Sequence, residues 1–219
     1  MDNNSYIALF DLDGVILDTE SDYTRFWNMI GDKYTDYEDF GLKIKGQTLI
    51  KILGDHFQDP VLAKEVTDAV YEFEQGMDYA YIPGAEEFLD SLIASGIKTA
   101  VVTSSDNQKM SNVYSRHPDF KSKFECILTS ENFTESKPSP QCYQLGMQRL
   151  GALPVNTVVF EDSVSGLTAG QSSGAFVVGL STTNPTDIVS RYSHIVLPDF
   201  KGIRFHELVA ELELGLNLK

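Results

Sequence analysis

Tyr6-Ile7-Ala8-Leu9-Phe10-Asp11-Leu12-Asp13-Gly14 decides how the rest of the chain is read. A short apolar run ends at once in two aspartates and a glycine, the profile of a buried strand that stops in a polar turn. Side chains alternate with period two at an extended strand end, so Asp11 and Asp13 converge on one spot. Paired carboxylates repel unless a cation or proton intervenes, and a hard divalent ion with oxygen ligands is their natural occupant. Gly14 lets the backbone turn away tightly. A calcium loop fits poorly: the glycine comes three positions after the first aspartate instead of five, and Asp22 stands where a bidentate Glu belongs. A purely structural turn stays open for this motif taken alone.

Working outward, apolar runs of the same kind recur at Lys98–Val102, Phe124–Leu128, Thr157–Phe160, Ala175–Gly179 and His194–Leu197. Helical patterns lie between them at Ala85–Ala94, Asn107–Ser115, Pro140–Leu150 and Ser165–Ser172. The alternation predicts an α/β, Rossmann-like parallel sheet with helices on both faces and ligands beyond the carboxyl ends of the strands. Residues 17–79 break the rhythm. Tyr23, Phe26, Trp27 and Ile30, then Leu49, Ile50 and Leu53, then Val66, Ala69, Val70 and Phe73 fall at helical spacing, with no convincing strand among them. We therefore expect a catalytic core of residues 1–16 and 80–219, with an inserted α-helical cap over 17–79.

At 219 residues the chain is long enough for one α/β core with a small accessory domain. Its net charge of −15, with no Lys/Arg cluster, points away from nucleic acid and from anionic membrane surfaces. Any anionic substrate must meet a local cation. Cys126 and Cys142 form no Cys-x-x-Cys pair, as expected of thiols in a reducing compartment. The polar start lacks the basic residues and long apolar stretch of a signal peptide, and no segment approaches the roughly 20 apolar residues of a membrane span. The expected location is cytoplasmic.

Three later strand ends carry further chemistry. Thr103-Ser104-Ser105-Asp106 gathers hydroxyls and free N–H groups before a helix, a place for a phosphate or simply an N-cap. In Glu135-Ser136-Lys137-Pro138 a lysine in a proline-stiffened segment can offset phosphate charge, although a lone loop lysine is usually solvated. Glu161-Asp162-Ser163 ends another apolar strand and supplies the remaining acidic ligand. Together, Asp-x-Asp, Thr/Ser, Lys and Glu-Asp stand on one edge of a parallel sheet.

These four elements, in order and at fitting intervals, resemble the four motifs of the haloacid dehalogenase superfamily, and the resemblance covers the whole chain. Phe10–Glu20 and Glu161-Asp162-Ser163 with Gly166 are similar to the subfamily that includes β-phosphoglucomutase, phosphoglycolate phosphatase and sugar-phosphate phosphatases, with its helical cap. The resemblance implies that Asp11 is the nucleophile that becomes an aspartyl phosphate and Asp13 the general acid and base. It implies that Thr103, with the backbone beside Ser104, holds phosphoryl oxygens and that Lys137 steadies the charge. Mg²⁺ would be bound by Asp11, Asp162 and the carbonyl of Asp13, supported by Glu161. Phosphoryl transfer asks for this kind of positioning and charge compensation. The second aspartate, Asp13, separates this chain from the superfamily's dehalogenases, which need no proton for a leaving alkoxide.

Lys43–Thr48 resembles the cap loop that reaches the substrate, which makes Lys45, Gly46 and Gln47 candidates for leaving-group contacts. Tyr23 and Leu49 stand where β-phosphoglucomutase has a His and an Arg. A mutase must grip a second phosphate and keep water from its aspartyl phosphate; a hydrolase needs neither. The expectation is a Mg²⁺-dependent phosphatase acting on a small phosphorylated metabolite, with a sugar phosphate leading, as a monomer or weak dimer. A mutase is the alternative. A phosphoacceptor signalling module is a third reading, but such modules lack an inserted cap and carry their phosphorylated Asp on a later strand.

Overall fold

A computed structural model describes residues 6–217; the polar start at 1–5 lies outside them. Six strands, β1 (Ile7–Phe10), β2 (Lys98–Val102), β3 (Cys126–Leu128), β4 (Thr157–Glu161), β5 (Phe176–Leu180) and β6 (Ile195–Leu197), form one sheet in the order β3-β2-β1-β4-β5-β6. Every pairing is parallel. Strand order reverses beside β1, which opens the crevice beyond the carboxyl ends of β1 and β4.

A strand buried on both faces should read as a continuous apolar run, and β1 does. Ala8 and Phe10 join the cluster on one face, Ile7 and Leu9 that on the other. Phe10 stacks on Phe160 of β4 at 4.6 Å, with Phe88 edge-on to both rings. The first face is covered by α5 (Ala85–Ala94), α6 (Asn107–Arg116) and α10 (Phe205–Asn217). The second carries α7 (Gln141–Leu150) and α8 (Val164–Ser172). A single-turn helix, α9 (Thr186–Val189), follows β5.

Between β1 and α5 the chain forms α1 (Glu20–Tyr34), α2 (Phe40–Lys43), α3 (Leu49–His56) and α4 (Pro60–Gln75). These helices have a core of their own, in which Phe26 stacks on Phe73 at 4.5 Å and Trp27 meets Phe40 edge-on. Helix α4 starts with Pro60 after Asp59, whose carboxylate accepts from the N–H groups of Val61 and Leu62. Ile50 departs from the expected apolar set. It is 74% exposed, because Leu49, Ile52 and Leu53 share one face of α3 and residue 50 falls outside that stripe.

The two connections to this helical unit run side by side. Asp18 N–H donates to Ala80 O and Ile82 N–H to Ile16 O, both at 2.8 Å. Leu17 and Tyr79 pack into the sheet-side cluster, whereas α1 begins only at Glu20.

Candidate active site

The carboxyl edge of the sheet brings three of the four expected segments to one cavity of about 100 Å³, lined by Asp11, Asp13, Thr103, Ser104, Asp162 and the loop Lys45–Gln47 among others, while Lys137 of the remaining segment is buried against Asp11. Asp11 stays tied to the sheet through its N–H on Phe160 O at 3.0 Å. Leu12 is fully buried, so the strand's alternation persists one step beyond β1 and turns Asp11 and Asp13 toward the cavity. Gly14 follows at φ +74°, where a Cβ would lie 2.1 Å from an Asp162 carboxylate oxygen. Only glycine fits a turn that close to another backbone's acid.

Lys137 is completely buried and organises the acids. Its Nζ donates to Asp11 Oδ1 at 2.8 Å, to Glu161 Oε1 at 2.6 Å and to the carbonyl of Val102 at 3.3 Å. Burial alone would lower its pKa, but Asp11 and Glu161 outweigh that and raise it, so the ammonium stays charged. Burial pushes Asp11 up to about 7 against the pull of Lys137, with the charge of Glu161 adding to the rise. Glu161 is fully engaged. Its Oε1 also accepts from Tyr143 OH at 2.8 Å, and its Oε2 accepts from the N–H groups of Asp162 and Ser163 and from Ser163 Oγ.

Asp162 is the opposite case. It is 1% exposed, and neither carboxylate oxygen has a hydrogen-bond partner of standard geometry, although the Thr183 hydroxyl lies close. Burial first, then Glu20, Glu161 and Asp11, drive its pKa well above the carboxylate range. Ligand oxygens of Asp11, Glu161 and Asp162 lie within 4.8 Å of one another. Three carboxylates against one lysine, two of their oxygens orphaned, are a donor set that suits a hard divalent cation. With Glu161 committed to Lys137, Tyr143 and backbone, Asp11 and Asp162 are the side chains left to hold it.

The Asp13 carboxylate lies outside that acidic cluster. Lys109 Nζ is 2.5 Å from both its oxygens, Thr19 Oγ1 donates at 2.5 Å and Ser105 Oγ at 3.0 Å. Burial would raise its pKa, but Lys109 and these hydrogen bonds prevail and hold it below the usual carboxylate range. Thr19 is the residue before α1, yet its hydroxyl makes no cap bond, being spent on Asp13. A missing N-cap costs about 1 kcal/mol.

Of the hydroxyls expected before α6, none is the cap: Asp106 accepts from Lys109 N–H and caps the helix. That leaves Thr103 in the cavity, its Oγ1 accepting from Ser105 N–H at 3.0 Å, and Ser104, whose Oγ donates to the carbonyl of Gly46 at 2.8 Å. The segment Lys45–Thr48 is closed onto the core at three serines. Besides Ser104, Ser165 Oγ donates to Lys45 O at 2.7 Å and Thr48 N–H donates to Ser136 Oγ at 3.1 Å. Gly46 has φ +75°, and a Cβ there would sit 2.3 Å from Ser165 Oγ. Lys45 is paired with the Glu20 carboxylate, and Gln47 points a buried, unpartnered Oε1 at the cavity wall.

The family model of haloacid dehalogenase-like hydrolases matches residues 8–180. The chain belongs to this family. Its similarity extends to a phosphorylated carbohydrates phosphatase of Thermotoga maritima, 29% identical over 181 residues, covering 76% of this chain and 81% of that one. A validoxylamine A 7'-phosphate phosphatase of Streptomyces hygroscopicus subsp. limoneus is 26% identical over 208 residues, covering 91% and 96%. In fold, the hydrolase is similar to a solved β-phosphoglucomutase from Clostridium difficile, with TM-score 0.79 and 21% identity over 97% of this chain and 99% of that one. The resemblance carried by the four motifs therefore holds, and so does the α/β, Rossmann-like fold. Within the family, this chain is a phosphoric monoester hydrolase.

Sequence reasoning missed Lys109, Glu20 and Glu74 as parts of the cavity wall. One signal was available for Lys109: a lysine in the first turn of a helix opposes the positive end of the macrodipole and calls for a compensating anion.

Proposed function

We propose that this hydrolase is a magnesium-dependent phosphatase that removes the phosphoryl group of a small phosphorylated metabolite, a sugar phosphate leading, through an aspartyl phosphate on Asp11. The observation that carries this reading is the position of Asp11: one oxygen is held by a buried lysine, and beside it lies Asp162 with both oxygens unpartnered. That environment keeps an attacking carboxylate oriented and asks for a cation. Mg²⁺, held by Asp11, Asp162 and the Asp13 carbonyl, would supply charge compensation for the phosphoryl oxygens.

The chain's own groups account for the rest. Asp11 attacks phosphorus while the bond to the leaving oxygen breaks, and Asp13, which must first give up its hold on Lys109 to carry a proton, delivers that proton to the leaving oxygen. Asp13 then takes a proton from water, which attacks the aspartyl phosphate and releases phosphate with Asp11 restored. Thr103 and the backbone beside Ser104 hold the phosphoryl oxygens, while Lys137 offsets charge on nucleophile and phosphate. Residues 17–79 act as the cap over a core of 1–16 and 80–219, and cap closure restricts water during the covalent stage.

Against a mutase, the cavity's cap-side lysine is already committed: Lys45 is paired with Glu20. Tyr23, where the mutase has a His, donates to Glu74 at 2.7 Å. The relatives' names favour phosphorylated carbohydrates as substrates. Phosphate release from a panel of sugar phosphates, with magnesium or with chelator, tests the reading in wild type and Asp11→Asn. Turnover should need magnesium and fall by at least about 1,000-fold in the variant; turnover without either would sink the mechanism. Isomerisation of glucose 1-phosphate with a bisphosphate primer and no phosphate release would assign a mutase instead.

A further inference from the structure

We propose that the closed cap selects a polyhydroxylated leaving group without a second phosphate, with the free carboxylate oxygen of Glu74 as the acceptor that reads one of its hydroxyls. This deepens the phosphatase reading above and rests on it. Glu74 lies in the last turn of α4, is only 5% exposed and lines the same cavity as Asp11 and Asp13. Its Oε1 accepts from Tyr23 OH at 2.7 Å, whereas its Oε2 is buried with no partner. A buried, unpaired carboxylate oxygen is costly to keep, and a hydroxyl donor from a ligand would satisfy it. Gln47 Oε1 is a second buried, unpaired acceptor on this wall. With Glu74 ionised, which needs a pH above about 7, both orphans are acceptors, and the group that completes them must bring donors.

Charge argues against a second anion on the ligand. Among the described residues lining the cavity, the two lysines are Lys45, paired with Glu20, and Lys109, paired with Asp13. Lys109 also lies 4.4 Å from the centre of the Tyr23 ring, beside the Tyr23–Glu74 pair. A second phosphate on the ligand would meet no uncommitted cation, and it would face the acids Glu20, Glu74 and Asp106 that also line the cavity. Trp27, Leu49, Ile52 and Val70 supply apolar surface in the same cavity, suited to the C–H face of a polyol. The cavity is also far smaller than the roughly 300–1,000 Å³ usual for ligand sites, which favours a compact leaving group.

The test compares kcat/KM for sorbitol 6-phosphate and p-nitrophenyl phosphate in wild type, Glu74→Ala and Glu74→Gln, the last keeping shape and a bond from Tyr23. Loss of the acceptor should lower the sorbitol-to-nitrophenyl ratio by about tenfold or more in both variants, because a site built to pair a hydroxyl discriminates through it. A ratio within about threefold of wild type overturns the proposal. Trp27, the only tryptophan, gives a readout independent of turnover. Its fluorescence should report binding of sorbitol 6-phosphate to Asp11→Asn, weakened about tenfold by adding Glu74→Ala; equal binding overturns the inference. If wild type releases phosphate from no ester while this binding difference persists, the phosphatase reading fails and the Glu74 subsite stands.

Discussion

Lys137 shows how a single residue can be structural and chemical at once. Its ammonium bridges two buried carboxylates, and its three hydrogen bonds tie the loop before α7 to the ends of β1, β2 and β4. Replacing it by Met leaves Asp11 and Glu161 facing each other in a dry site. Breaking a buried pair from one side costs about 3–5 kcal/mol, and urea denaturation of Lys137→Met should show a loss of that size. A change under about 1 kcal/mol would mean that the acids simply take up protons. The place of Lys109 in the first turn of α6 hinted at an anion but not at which one: it is separated from Asp13 by 96 positions, and only the tertiary fold puts them 2.5 Å apart. Asp11 and Asp13 were legible, because alternation acts over three residues and needs no knowledge of the rest of the chain.

Among the elements, the loop Lys45–Thr48 carries the closed state. Its contacts go to Ser104 and Ser136, in the segments that follow β2 and β3, and to Ser165 in the first turn of α8 after β4, so closure registers along the carboxyl edge of the sheet at three points. Gly46 permits this through a left-handed backbone and the absence of a side chain. In Gly46→Ala the strained φ alone costs about 1–2 kcal/mol, and the added methyl pushes against Ser165 and Ser163. We expect kcat/KM to fall by about tenfold or more, with limited proteolysis cutting the cap connections faster than in wild type. Unchanged kcat/KM would show that the three-serine closure is not needed for turnover. The helices of the cap were legible as amphipathic runs, but not their facing: Ile50 belongs to the apolar run and still points outward.

Across the whole molecule, burial of acids sets an unusual pH response. Asp11 and Glu74 are each pushed up to about 7, burial being the first cause, and Asp162 is driven up as well. Between the ordinary carboxylate range near pH 4 and about pH 7, the folded chain therefore holds protons that the unfolded chain has released, and stability falls as pH rises. His56, lowered by burial, pulls the other way as one half-exposed group against three. The metal-free protein should melt at a higher temperature at pH 5 than at pH 7.5. Magnesium should restore stability at pH 7.5, by about 2.7 kcal/mol at 100 times its dissociation constant. Calorimetry at both pH values, in chelator and in magnesium, checks this; a melting temperature that rises with pH in chelator and ignores magnesium would refute the buried-acid account.

What the sequence by itself determined was local in origin. The apolar runs at residues 6–10, 98–102 and 157–160 read as buried strands, since burial on both faces leaves a contiguous signature. The strand-end residues Asp11, Asp13, Thr103, Lys137, Glu161 and Asp162 were named because a parallel sheet sends all its carboxyl ends to one edge. Only the tertiary structure decided how they are charged and paired. Lys109 on Asp13, Glu161 withdrawn onto Lys137, Asp162 left bare and Glu74 with one free oxygen all depend on distances between residues far apart in the chain. Coulomb energy and desolvation are set by those distances and by the exclusion of water, and neither is written in the spacing of residues along a strand.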